Sequence, residues 1–158
     1  MSDTIQIGPI ESEHHAALFE IFEEIVASGD GFPQAAPLTP EVFHDTWIGP
    51  TTSVIGAFVD GQLVGAYYLK PNFAERAAHI ANAGYIVDHS ARGLGVGRLL
   101  VEHSIGQAQA DGYTAVMFNL VFESNPARGL YEELGWREIG RIPDGVDGEP
   151  AIIYWRDV

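Results

Sequence analysis

The sequence predicts an α/β (α+β) fold: one mixed, twisted sheet of about seven strands with about four helices on its two faces. Three observations predict it. Apolar or alternating runs that read as strands interleave with runs of helical periodicity, in the order β-α-α-β-β-β-α-β-α-β-β. An Asp60-Gly61 pair separates two apolar runs, the mark of a two-residue hairpin. A glycine-rich stretch, Arg92-Gly93-Leu94-Gly95-Val96-Gly97, leaves a strand-like run and opens a helix-like one.

Residues 4–10 alternate apolar and polar, as a first strand would. Ser12 is the expected cap of the first helix, although His15 stands where a capping box wants Glu. Leu18, Phe19, Phe22, Ile25 and Val26 recur at helical spacing and leave Glu20, Glu23 and Glu24 on the solvated side. Ser28-Gly29-Asp30-Gly31 ends that helix. Phe32-Pro33-Gln34-Ala35-Ala36-Pro37 reads as a stiff loop, in which Phe32 is either core or the wall of an acceptor pocket. Thr39 caps a second helix with Pro40 at its first position, and that helix carries Phe43 and Trp47.

Residues 54–59 and 62–69 form the hairpin, and residues 79–87 the strand that leads into the glycine stretch. The third helix runs to about Ala110 with Leu99, Leu100, Val101 and Ile105 facing inward, and Asp111-Gly112 stops it. Residues 115–122 are nearly all apolar, so this strand is expected to be buried on both faces. Asn119 in its middle then needs a hydrogen-bond partner, since a buried unpaired amide costs about 1–3 kcal/mol. A capped short helix within residues 124–136 ends at Gly135, and two last strands, around Arg137–Ile142 and Ala151–Trp155, enclose a Gly/Pro/Asp-rich turn.

At 158 residues, 46% hydrophobic and 19% charged, with no repeat, the chain reads as one globular domain over residues 1–158. It has no cysteine, which excludes disulfides, thiolate zinc sites and a cysteine nucleophile. Six histidines show no metal-ligand spacing, so no metal is expected. Met1-Ser2-Asp3-Thr4-Ile5 puts no basic segment ahead of an apolar core and no run approaches the ~20 apolar residues of a membrane span, so a cytoplasmic protein is expected. The net charge of −14 repels nucleic acid and anionic membranes and attracts cations.

A strand that turns through glycines into a helix leaves backbone N–H groups pointing forward at the positive end of the helix dipole, an anion site suited to phosphate. The dinucleotide pattern G-x-G-x-x-G fails because Arg98 stands at its third glycine, and G-x-x-x-x-G-K-[ST] has no match. The pattern [RQ]-x-x-G-x-[GA] fits at Arg92, Gly95 and Gly97. It resembles the pyrophosphate loop of the GNAT superfamily of acetyl-CoA-dependent N-acetyltransferases. Asn125…Leu130-Tyr131…Leu134-Gly135-Trp136 resembles a second signature of that family at the expected separation, and the element order resembles its fold over nearly the whole chain. Within the family, residues 82–87, 118–125 and 139–142 look like the fungal enzymes that acetylate proline analogues such as azetidine-2-carboxylate. Two departures stand out: five rather than six residues separate Asn125 from Tyr131, and the strand before the loop lacks the Glu that some members use as base.

The resemblance implies an acetyl-CoA-dependent enzyme. The loop amides of residues 93–98 (Gly93, Leu94, Gly95, Val96, Gly97, Arg98), helped by the Arg92 and Arg98 side chains, would take the pyrophosphate. A backbone N–H near Ile86 or Val87 would stabilise the oxyanion. Tyr131 is the implied general acid, its reference pKa of about 10 lying above the roughly 8.5 of a thiol; the alternative is a core tyrosine. Asn125 would hold the coenzyme arm or simply cap the helix. Asn82 and Asn119, with Tyr85 nearby, would face the acceptor; alternatively the two amides satisfy each other. The base is open, with water relayed through backbone carbonyls as the default and His79 a candidate only if it faces the cleft. The expected partner is a small-molecule amine, such as an amino acid, an amino-acid analogue or a xenobiotic. A protein N-terminal or lysine acetyltransferase and a non-catalytic acyl-CoA sensor are the competing readings. Dimers are common among the proteins resembled, which leaves a homodimer open.

Overall fold

The computed structural model describes residues 4–158. Among them, seven strands form one sheet: β1 (Ile5–Pro9), β2 (Ser53–Val59), β3 (Gln62–Pro71), β4 (Ile80–Val87), β5 (Ala115–Phe122), β6 (Arg137–Val146) and β7 (Glu149–Asp157). The helices are α1 (His15–Ser28), α2 (Pro40–Trp47), α3 (Val96–Ala110) and α4 (Arg128–Glu133). Strand order is β1-β2-β3-β4-β5-β7-β6, antiparallel throughout except for the parallel pair β4–β5. The expected mixed sheet with helices on both faces is what the chain forms.

Local chemistry accounts for the joints. Asp60 and Gly61 take φ 50° and 78°, which a two-residue hairpin demands, and Val59 pairs with Gln62 across them. Asp147-Gly148 repeats the device with φ 49° and 81° between Val146 and Glu149. The last turn is therefore tighter than expected: residues 143–146 belong to β6, which absorbs them through a register shift between Ile142 and Val146. Thr39 Oγ1 accepts from the Val42 N–H at 3.2 Å, the expected cap of α2. Ser12 is not the cap of α1. It opens a single 3₁₀ turn, Ser12–His14, where the Glu11 N–H donates to His14 Nδ1 at 2.9 Å, and α1 follows from His15.

Two cores lie on the two faces of the sheet. On one, Leu18 and Phe22 of α1 and Trp47 of α2 pack on Leu63, Ala66, Tyr68 and Ile86. On the other, Val96, Leu100 and Val101 of α3 pack on Tyr67, Leu69, Ala81 and Val116, together with Phe118, Tyr131 and Trp136. Strand alternation sends Tyr67 and Tyr68 to opposite faces. Leu99 is 38% exposed rather than inward, because the buried stripe of α3 follows Val96, Leu100, Ser104 and Ala108.

The feature that positions the site is a split. β4 and β5 pair only through Ile80–Ala115, Ala81–Val116 and Asn82–Met117, and then diverge. Beside the split, β5 shifts register against β7 between Phe118 and Val121, which turns Asn119 out to solvent. The expectation that β5 is buried along its whole length fails at this bulge.

Candidate active site

The gap between β4 and β5 is lined on one side by main chain with nothing to bond. Asn72 N–H donates to Ile80 O and Asp88 N–H to Val64 O, both at 2.8 Å, so the even-numbered residues of β4 bond to β3. The Ala83 N–H closes the last rung of the ladder with β5, so the Ala83 C=O and the N–H and C=O groups of Tyr85 and Val87 turn into the gap. Of the two residues expected to offer an oxyanion donor, Val87 faces the gap, whereas Ile86 pairs with Ala66 and brings only its side chain to the lining.

From β4 the chain passes a short turn, His89–Ala91, and enters the glycine loop. Gly93 and Gly95 take φ 84° and 83°, and a Cβ at either would meet open space, so the loop presents bare main chain outward. Among the described residues, the N–H groups of Gly93, Gly95, Val96, Gly97 and Arg98 have no acceptor; the first bond of α3 runs from Leu99 N–H to Gly95 O at 3.2 Å. Two expected contributors are displaced. The Leu94 N–H points to Ala91 O at 3.4 Å, and its side chain is 52% exposed. The Arg98 guanidinium does not line the cleft, because Glu102 at 3.2 Å and Glu133 at 2.8 Å hold it on the outer side of α3. Arg92 does line the cleft, with Nη2 3.3 Å from Asp30 Oδ2. The Ser28 hydroxyl, then Arg92 and His89, hold the Asp30 carboxyl below the usual range.

The split and the loop together form a cleft of about 710 Å³. Tyr131 enters it from the α3 face. Its ring packs on Phe118 at 4.7 Å and on Tyr85, Trp136 and Tyr154 at 6.2 Å each, so it is a core ring that also lines the cleft. Its hydroxyl has no hydrogen-bond partner among the described residues, and burial pushes the phenol well above the ordinary tyrosine value. Asn125 Oδ1 accepts from the Ala127 N–H at 2.8 Å, a side-chain turn ahead of α4, whose N-cap is Ala127 and not Asn125, and this leaves the Asn125 Nδ2 free. That nitrogen lies 3.7 Å from where a Cβ on Gly31 would sit, so the loop after α1 crosses the mouth of the cleft.

On the opposite side Phe32 does both things asked of it, packing edge-on against Phe22 at 5.1 Å while lining the cleft. Asn82 and Asn119 line the cleft without satisfying each other. Asn82 Nδ2 donates to Met117 O at 3.1 Å, and Asn119 exchanges amide bonds of 2.6 and 2.9 Å with Asn72. The Tyr85 side chain contributes its ring and not its hydroxyl, which donates to Ser104 Oγ at 2.7 Å, and Ser104 in turn donates to Val101 O. His79 is exposed and outside the cleft.

Two lining residues, and one that supports the lining from behind, escaped sequence reasoning. Asn72, the partner of Asn119, supports the lining from a β3 terminus that carries no motif. Gln34 has an Oε1 shielded from solvent with no donor. Tyr68 lies over Gly84 so closely that a Cβ there would fall 2.5–2.7 Å from its ring and hydroxyl. Gly84 was the available signal, since a glycine inside a strand marks a close approach.

These parts fit an acylated coenzyme A: free N–H groups at the head of α3 for the diphosphate, bare glycines where it would lie, and an unpaired strand edge for the amide-bearing arm. The sequence profile of the Acetyltransferase (GNAT) family matches residues 16–136. The structure of a GCN5-related N-acetyltransferase from Kribbella flavida superposes with a TM-score of 0.91 at 31% identity, covering 98% of each chain. N-acetyltransferase aca1 of Schizosaccharomyces pombe is 37% identical over 98 residues, covering 60% of this chain and 47% of that protein, so the match spans about half of that relative's length. A phosphinothricin acetyltransferase from Sinorhizobium meliloti, solved in complex with acetyl-CoA, shares the fold at 18% identity and a TM-score of 0.83, covering 100% of this chain and 89% of that one. The chain belongs to the acetyltransferase (GNAT) family, whose acyl donor is acetyl-CoA, and has its fold.

Proposed function

We propose that this enzyme acetylates the amine of a small molecule (an amino acid, an amino-acid analogue or a xenobiotic amine) by direct attack on the thioester. The observation that carries the reading is the loop after α1, which comes within van der Waals reach of Asn125 across the mouth and so narrows the half-open cleft against an extended polypeptide. The likeness of residues 82–87 and 118–125 to enzymes acting on proline analogues supports an amino-acid analogue as acceptor.

When bound, acetyl-CoA supplies an acetyl group on a thiol leaving group. The N–H groups of Gly93 and of residues 95–98 hold the diphosphate; Arg98 serves through its main chain and Arg92 through its side chain. Asn125 Nδ2 holds the coenzyme arm. The Val87 N–H donates to the thioester carbonyl oxygen as negative charge develops there. The amine forms the new N–C bond as the C–S bond breaks, Tyr131 gives its proton to the departing sulfur, and solvent restores it. Asn82, Asn119, Phe32 and the Tyr85 ring wall the acceptor. Asp30 and Arg92 are the charged side chains of the lining among the described residues, and they pair with each other, so the amine's own proton leaves to water along the backbone carbonyls in the gap.

A thiol-release screen with acetyl-CoA against proline analogues, amino acids, polyamines and phosphinothricin-like amines tests the proposal. Turnover of at least one such amine above peptide substrates is expected. Turnover of peptide N-termini or lysines alone would overturn it, as would coenzyme binding without turnover of any amine.

A further inference from the structure

Buried tyrosines usually find a partner for the hydroxyl, and most here do. Tyr67 bonds His103 Nδ1 at 2.7 Å, Tyr85 bonds Ser104 at 2.7 Å, and Tyr154 donates to Glu132 while accepting from Arg128, both at 3.0 Å. Two cleft-lining tyrosines do not: Tyr131 and Tyr68, each 8% exposed, have no hydroxyl partner among the described residues. They approach the gap from opposite faces of the sheet, Tyr131 with the α3 core and Tyr68 with the α1–α2 core.

The Tyr68 ring is held in place. Trp47 meets it edge-on at 5.0 Å, Lys70 Nζ lies 4.6 Å from its centroid, and Gly84, its partner across β3–β4, lets it lie against the β4 main chain. Asn82 extends from the same face of β4, two residues from Gly84. A rigid ring with a free hydroxyl beside Asn82, across the gap from Tyr131, is placed to meet the group that attacks.

We propose that the Tyr68 hydroxyl is the hydrogen-bond partner of the acceptor amine, accepting one of its N–H groups and aiming the nitrogen's lone pair at the thioester. The inference rests on the assignment of the Tyr131 side to the departing sulfur. Burial raises the Tyr68 phenol to about 12, so it stays neutral and positions the amine without taking its proton. The matching substrate class is a primary or unhindered secondary amine, which keeps an N–H to donate while its lone pair attacks.

Tyr68→Phe keeps the ring and its packing, and Gly84→Ala keeps the hydroxyl but displaces the ring. Both are expected to raise the KM for the amine by about 3- to 10-fold, the equivalent of one hydrogen bond. The acetyl-CoA dissociation constant by calorimetry and, for Tyr68→Phe, the melting temperature should stay at wild-type values. An unchanged amine KM in Tyr68→Phe would overturn the assignment, as would a matching loss of acetyl-CoA affinity. The comparison is run on whichever acceptor the wild type turns over fastest, so a peptide acceptor would sink the small-molecule reading and still decide the role of Tyr68.

Discussion

As the proposed general acid, Tyr131 must be buried enough to exclude water and open enough to meet a sulfur atom. Its ring meets the first need and its unbonded hydroxyl the second. Tyr131→Phe is expected to lower kcat about 100-fold or more, as loss of a general acid does, with acetyl-CoA binding by calorimetry unchanged. The same burial fixes the pH profile. Around the cleft, the Tyr68, Tyr85 and Tyr131 phenols are all raised, and Asp30 is lowered with Arg92 paired to it. With no lining group left to titrate near neutrality, kcat/KM should rise about tenfold per pH unit up to the pKa of the amine used, with no falling limb below about pH 10. A profile whose midpoint ignores the amine would show that a protein base had been missed. Tyr131 and Asn125 were legible because they stand in a spaced motif. Tyr68 was not: only the pairing of β3 with β4 brings it over Gly84. Arg98 misled because charge near a phosphate loop reads as phosphate binding until Glu102 and Glu133 are seen to hold it.

At the scale of elements, the junction of the glycine loop with α3 and the interior of α3 make opposite demands on glycine. Gly95, at φ 83°, caps the helix in a left-handed conformation. Gly95→Ala should cost about 1 kcal/mol of stability and weaken acetyl-CoA binding, because a Cβ would stand where the coenzyme approaches. Gly106 lies within α3, and a Cβ there would meet open space. Gly106→Ala should instead stabilise by about 0.5–1 kcal/mol with binding unchanged. Denaturant unfolding and calorimetry on the pair separate the two roles. Periodicity and turn chemistry revealed the elements and their order, since the Asp-Gly hairpin, the Thr39 cap and the glycine loop are all local signals. The bulge in β5 and the added residues of β6 depend on partners distant in sequence and left no local trace.

Over the whole molecule, a net charge of −14 and a set of desolvated phenols govern behaviour in solution. The charge should steer cationic amines inward, so their kcat/KM is expected to fall as salt rises, while that of uncharged amines holds steady. For the phenols, the folded value is raised: Tyr68 titrates at about 12 against about 10 when unfolded. The stability they contribute is complete below about pH 10 and is lost as pH climbs through about 12. Circular dichroism and tyrosinate absorbance should report one cooperative alkaline unfolding in that window, and gradual tyrosinate formation in an intact fold would contradict it.

The parallel ladder between β4 and β5 is three residue pairs long, and past it every second amide of β4 has nothing to hold. Deuterium exchange should therefore pulse along that strand: Gly84 and Ile86 retain hydrogen while Tyr85 and Val87 surrender it. Adding acetyl-CoA should slow the fast positions and leave the slow ones as they were, so the coenzyme would register as the missing neighbour of a half-finished sheet.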